Sequence, residues 1–442
     1  LVLAQVCLAS CATTPSEPEL SSLYTSDLAG TRWGIVISRM DGTDLLSHRG
    51  DDRFSPASNT KLFTTAAAFH TLTNLDTPSP HLATHVLLEP RQDGRPADLV
   101  LVGAADALLN DAPDCEVSCL ADLADQVVAA GITQVSDIIG DDRLFPDERW
   151  GPGWSVEDLE TYYGTAVSAL TLNDNSVTLV VSPGQSAGSA VTAYMADGDT
   201  TFRIDNRAIT SAAGTSDLRV ERLTGSDLVH IYGTLSLSDS QRSIPLGLHD
   251  PAAFAASRFS RLLSQRGIST TGRANSRHRS LSLADDPESG VTSADLVTSQ
   301  PGRPIASLPG SPLHDTLTII SKRSQNLYAE LVLRQIGLAD GIGSRQSGLK
   351  VIDDMMALTG APERGYDFSD GSGMSIYNRV SPHAVVDLLT WAQAQDWGDA
   401  FKATLPVAGV DGSLRNRFKD TPLQGRLFAK TGTLRGVNAL SG

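Results

Sequence analysis

Ser58 and Lys61 stand three positions apart in the stretch FSPASNTKLFTTAAAF. At i and i+3 two side chains share one face of a helix, so the pair could be a nucleophile and the base that activates it. A hydroxyl at a helix start also meets the positive end of the helix dipole, which favours an oxyanion there. Lys61 is followed by Leu62, Phe63, Ala66, Ala67, Ala68 and Phe69. Burial among such neighbours disfavours the ammonium and brings a lysine pKa down toward a value useful for accepting a proton, so serine can be activated without histidine. The bland alternative is two polar residues that open a helix. The pattern is short enough to recur, and Ser347-Gly348-Leu349-Lys350 is a second instance, read as an ordinary solvated helix start.

The elements that must position the pair are legible around it. RWGIVISRM is rich in Val and Ile, DGTDLL supplies a turn, and the segment up to Phe54 reads as the second arm of a hairpin. A helix follows, with Pro56 just before it, Ser58 or Asn59 as its cap, and Leu62, Phe63, Ala66, Phe69 and Leu72 at helical spacing. Between roughly 76 and 294 the pattern changes to short Val, Leu and Thr-rich runs such as HVLLEP, SVTLVVSP and LVHIYGTLSL, punctuated by Gly, Pro and Asp. That predicts β-rich insertions. Helical spacing returns in LHDTLTIISKRSQNLYAELVLRQIG, SGLKVIDDMMALTG and SPHAVVDLLTWAQAQ, and GRLFAKTGTLRGVNALSG has strand character interrupted by glycines. The predicted organisation is an α/β domain in two chain segments, 24–75 and 295–442, separated by an insertion over 76–294.

Composition narrows the function. The chain has 442 residues and a net charge of -16, with no basic stripe, so nucleic-acid binding is not expected. LVLAQVCLASCATTPSEPEL reads as an apolar export segment followed by a Pro, Ser and Glu-rich tether over residues 1–23, whose positively charged leader is expected to precede Leu1. Within it, Leu8-Ala9-Ser10-Cys11 resembles a bacterial lipobox; Cys11 is then either lipidated, the only membrane attachment expected, or lost with simple signal cleavage. Export permits a local disulfide between Cys115 and Cys119, the alternative being two unrelated thiols at a helix start. Among the nine histidines there is no His-Glu-x-x-His, and neither metal nor cofactor is expected.

Two further motifs follow in order: Ser324-Gln325-Asn326 opens the helix NLYAELVLRQIG, and Lys430-Thr431-Gly432-Thr433 lies in the last strand-like segment. Ser-x-x-Lys, Ser-x-Asn and Lys-Thr-Gly together resemble the motif set of penicillin-binding proteins and class A β-lactamases. The series PASNTKL, SQNLYAE, DGSGMS, LPVAGVDGSL and AKTGTL is similar to the D-alanyl-D-alanine carboxypeptidases/endopeptidases, the class C low-molecular-mass penicillin-binding proteins, from about residue 24 onward. The resemblance implies a transpeptidase/β-lactamase-like domain, an antiparallel sheet with helices, carrying two inserted β-rich domains. It also implies action on peptidoglycan stem peptides and acylation by β-lactams. Ser324 would relay a proton between Lys61 and the leaving amine, Asn326 would hold the lysine and a substrate amide, and Lys430 would meet a substrate carboxylate. Gly432 would leave room for a substrate backbone, and the N–H groups of Ser58 and Thr433 would form the oxyanion hole. Asp141, or equally Asp142, would reach toward the stem-peptide side chain. Gln325 stands where the family commonly has Asp, and DGSGMS is expected only to shape the cleft rim. Members of the family continue past the position of Gly442 with further strand and a helix. A β-lactamase or esterase of the same fold is the rival enzyme, although no deacylating Glu stands out, and an inactive wall-binding protein is the rival outside enzymology.

Overall fold

The segment TKLFTTAAAFHT is apolar on almost every face, and a helix of that kind belongs inside a core. In the computed structural model, which describes residues 29–78, 83–291, 302–339 and 341–442, it forms helix α1 (Thr60–Thr71), buried from Thr60 through Phe69. Cys11 and the rest of the export segment lie outside the described residues, as does the expected boundary near 295. The remaining helices described are α2 (Leu120–Ala129), α3 (Pro251–Gln265), α4 (Leu313–Arg323), α5 (Asn326–Leu338), α6 (Arg345–Thr359), α7 (Pro382–Gln393) and α8 (Gly398–Thr404). α1 is the central post, in contact with α4, α5, α6 and α8. Phe63 packs against Phe368 with ring centroids 4.7 Å apart, and Phe69 stacks on Trp397 at 5.7 Å.

Two antiparallel hairpins flank this helical core. Ile35–Ser38 pairs with Asp44–His48; the second arm stops short of Phe54, which makes only a lone bridge to Val380. Lys430–Leu434 pairs with Val437–Ser441, and among the described residues its other edge has no strand partner.

The insertion is rich in strands, as expected, and also carries helices α2 and α3. Its five-stranded sheet runs in the order Ala274–Arg277, Ile138–Asp141, Asp98–Val102, His85–Glu89, Arg303–Ser307. The first three strands are parallel neighbours, which demands crossovers, and helix α3 packs on the sheet between them. The last strand lies beyond residue 294, so the insertion's sheet reaches further along the chain than the expected boundary. A second group of strands includes Ser176–Ser182, flanked by Thr192–Met195 and Arg242–Gly247, and Leu228–Ser236, flanked by Asp217–Arg222 and Ile209–Ser211. Leu179, Val181 and Ile231 of this group share one continuous core with Leu99, Leu101 and Phe259 of the first. The two groups of strands therefore pack on each other through a common interior. Cys115 and Cys119 form the expected disulfide, closing the loop that leads into α2.

Candidate active site

The chain enters α1 through a short 3-10 turn, Ala57–Asn59, with Ser58 half-buried in the middle of it. Ala57 has φ 46°, uncommon for a residue with a Cβ. The turn is held from several sides: Thr60 Oγ1 donates to the Ala57 carbonyl (2.9 Å), and Asn59 Nδ2 donates to Ser441 Oγ (2.7 Å). Two glycines let neighbouring backbone approach it. A Cβ on Gly432 would lie 2.5 Å from the Pro56 carbonyl oxygen and 3.1 Å from Ser58 N, so its missing side chain serves the packing of the strand on the Ser58 turn. At Gly373, where φ is +84°, a Cβ would lie 1.9 Å from the Ala57 carbonyl oxygen. Gly373→Ala is therefore expected to push the Ala57–Ser58 peptide out of place and to slow acylation on the order of a hundred-fold, the usual consequence of a misplacement near 1 Å. Stopped-flow acylation by a β-lactam checks this.

One turn along, Lys61 is fully buried and its Nζ donates to Ser58 Oγ (3.0 Å), Asn326 Oδ1 (2.6 Å) and the Ser372 carbonyl (2.5 Å). Burial brings its pKa down to about 7, against the opposing pull of the Asp370 and Glu330 carboxylates. The amine is thus poised to exist unprotonated near neutrality while fixed against a hydroxyl.

Ser324 sits between α4 and α5 in the left-handed region, at φ 59°. Its Oγ accepts from Lys430 Nζ (2.8 Å). Lys430 is itself buried and donates a second bond to the Thr431 carbonyl; burial first, and then the nearby Lys61 charge, hold its pKa well below the usual lysine range. Thr431 Oγ1 donates to Ser413 Oγ (2.8 Å), which ties the strand to the segment LPVAGVDGSL. Three motifs far apart in sequence thus converge on two amines and two hydroxyls.

The profile of the D-Ala-D-Ala carboxypeptidase 3 (S13) family matches residues 20–442. The chain belongs to this S13 family. It is a serine-type D-Ala-D-Ala carboxypeptidase of the penicillin-binding class. It is 32% identical over 424 residues to a D-alanyl-D-alanine carboxypeptidase of an Actinomadura species, covering 92% of this chain and 74% of that one. The D-alanyl-D-alanine carboxypeptidase DacB of Haemophilus influenzae is 23% identical, over 97% of this chain and 86% of the relative. The fold is that of the crystal structure of penicillin binding protein 4 (dacB) from Haemophilus influenzae, with a TM-score of 0.76 at 21% identity, covering 92% of this chain and 86% of that one.

Within this S13 chain the structure rearranges some expected pairings. Ser324 bonds to Lys430, not to Lys61, in this state, so the expected Lys61–Ser324 relay is not preformed. Asn326 does hold the lysine, while its Nδ2 donates to the Tyr163 carbonyl (2.9 Å) of the insertion. The turn Asp370–Ser375, expected only to shape the rim, contacts the Lys61 amine itself through the Ser372 carbonyl. Nothing in a sequence marks which backbone carbonyl will do this.

Asp141 is the residue expected, equally with Asp142, to reach toward the stem-peptide side chain. It is buried and compensated by Arg143 (2.6 Å) and Arg277 (3.6 Å), and Asp142 by Ser168 Oγ (2.8 Å) and His278 Nδ1 (2.9 Å). Neither carboxylate shares a hydrogen bond with Ser58, Lys61, Ser324, Asn326 or Lys430. The insertion reaches the site instead through Tyr163 and through Trp154, whose Nε1 donates to Asp370 Oδ2 (2.9 Å). The second Ser-x-x-Lys resolves as ordinary helix: Ser347 bonds to Ser344, the N-cap of α6, and Lys350 pairs with Asp354 on the surface.

Proposed function

We propose that Ser58 is the nucleophile and Lys61 its general base in removing the terminal D-alanine of peptidoglycan stem peptides. The neutral amine takes the Ser58 hydroxyl proton as Oγ bonds to the carbonyl carbon of the penultimate residue; the C–N bond breaks, the proton passes to the departing amine, and water cleaves the resulting ester. Lys430, with Thr431 and Thr433, anchors the terminal carboxylate, and the N–H groups of Ser58 and Thr433 receive the oxyanion. Ser324 and Asn326 carry the proton and hold the lysine. The unpaired edge of Lys430–Leu434 suits an extended peptide, including a crosslinked one, so endopeptidase cleavage is a second activity of the same site. β-Lactams acylate the same serine.

The observation that carries this reading is a fully buried lysine whose amine lies 3.0 Å from the serine hydroxyl, with its pKa brought down to about 7. Mass spectrometry of the penicillin-treated protein tests it. The adduct is expected on the peptide containing Ser58; an adduct on Ser347, or none on folded protein, would overturn the assignment. Export to the cell envelope is supported by the Cys115–Cys119 disulfide, which belongs in an oxidising compartment. Lipid attachment at Cys11 is checked by palmitate labelling that disappears in Cys11→Ser.

A further inference from the structure

Asp370 is completely buried, yet its carboxylate is fully engaged. Oδ1 accepts from Gly373 N (2.8 Å) and Asn378 Nδ2 (2.7 Å), and Oδ2 accepts from Ser375 N (2.5 Å) and Trp154 Nε1 (2.9 Å). Four converging donors suit a carboxylate and not an amide, because an asparagine would turn its NH2 toward two of them. From the other side Glu330 of α5 accepts from Gly371 N (3.0 Å) and Ser372 N (2.9 Å) through Oε1, while its Oε2 meets Arg334 at 3.1 Å. Two buried carboxylates therefore shape one short turn, and the outcome is a single carbonyl, that of Ser372, aimed at Lys61 Nζ. The insertion docks on the same turn: besides Trp154, the Pro152 carbonyl accepts from Ser375 Oγ (2.7 Å) and the Gly153 carbonyl from Ile376 N (3.1 Å).

We propose that Asp370 is a positioning residue for Lys61, fixing the Ser372 carbonyl against the amine, and that Trp154 of the insertion holds Asp370 in that role. This rests on Lys61 being the base. The insertion then reaches the base by two routes, through Trp154 and Asp370 and through Tyr163 and Asn326, and is a working part of the site. Electrostatics point the same way. The charged groups facing Lys61 are Asp370 from the turn, Glu330 from α5 with Arg334 behind it, and Lys430 from the strand. Burial, followed by the Glu330 charge, pushes the Asp370 carboxyl up, and its negative form in turn favours the Lys61 ammonium.

The test is β-lactam acylation of the whole protein from pH 5 to 10, separating the non-covalent binding constant from the acylation rate constant, for wild type, Asp370→Asn and Trp154→Phe. Asp370→Asn is expected to lower the acylation constant on the order of a hundred-fold. It also removes a negative charge that favoured the ammonium, so the acid limb of the profile should move to lower pH by roughly one unit or more. A lower plateau with an unmoved limb would mean that Asp370 is merely structural and would overturn the proposal. Trp154→Phe keeps the ring and loses one donor, and is expected to slow acylation on the order of ten-fold with the non-covalent constant unchanged. Acylation at the wild-type rate in that variant would also overturn it, and this measurement decides the matter if Asp370→Asn does not fold. Failure of the underlying reading looks different, because the wild-type protein would then carry no adduct on Ser58.

Discussion

Ser58→Ala is expected to abolish the penicillin adduct and to lower carboxypeptidase turnover by about a million-fold, the scale seen when a serine nucleophile is removed from a preorganised site. The substitution deletes one oxygen from a half-buried turn whose geometry is set by other groups: the Thr60 hydroxyl on the Ala57 carbonyl, the Asn59 amide on Ser441, and the backbone of Gly373 and Gly432 packed against it. The thermal midpoint should therefore change little, and the β-lactam should still bind reversibly. Lys61 keeps its bonds to Asn326 and the Ser372 carbonyl, so the base stays in place with nothing to activate. Intact-mass measurement after prolonged exposure to penicillin is the check. A full-occupancy adduct on the variant would show that the nucleophile lies elsewhere.

How much of this site could be read from the residues depends on whether its contacts are local or distant. Ser58 and Lys61 are one turn apart, in the 3-10 turn and the helix α1 that continues it, so their meeting follows from periodicity, and the apolar run after Lys61 foretold its burial. The helix α3 was equally available: Asp250 caps it through Ala253 N, Pro251 takes its first turn, and Phe254, Phe259 and Leu263 are buried along it. It was hidden by the surrounding short Val and Leu runs, which set the expectation of a β-rich insertion. The strand Arg303–Ser307 could not be assigned to the insertion from its own residues, because its partner His85–Glu89 lies more than 200 positions earlier and pairing at that distance leaves no local mark. Ser324 turns on a backbone angle, since its left-handed conformation is associated with a hydroxyl facing Lys430. Asp141 looked available because a sequence does not show that Arg143 and Arg277 compensate it. The roles of Asp370 and Glu330 were out of reach for a related reason: each acts through backbone N–H groups, which every residue has.

Lys61→Met should leave a folded protein that acylates about ten-thousand-fold more slowly, the upper range for loss of a positioned general base. Methionine fills much of the lysine's volume, and the site is already dry, so loss of packing is small compared with loss of the amine. The change removes the ammonium that faces Asp370 when Lys61 is protonated, so the Asp370 carboxyl, already pushed up by burial, is pushed up further. A carboxyl held above its unfolded value contributes stability at low pH that is lost as the pH rises through its folded value, so the variant should be most impaired in fold once Asp370 is ionised. The wild-type profile supplies the complementary evidence. With its pKa brought down to about 7, Lys61 is increasingly protonated below that pH, and acylation should fall roughly ten-fold for each further unit of acidity. On the alkaline side the limiting group is Lys430, whose pKa is also depressed and whose charge must persist to hold the substrate carboxylate. Acylation by a carboxylate-bearing β-lactam should therefore show an acid limb belonging to Lys61, and loss of the Lys430 charge should weaken acylation as the pH rises. In Lys61→Met the acid limb near 7 should vanish from the residual rate while the weakening as the pH rises persists. An unchanged acylation rate, or an acid limb that survives the substitution, would exclude Lys61 as the base.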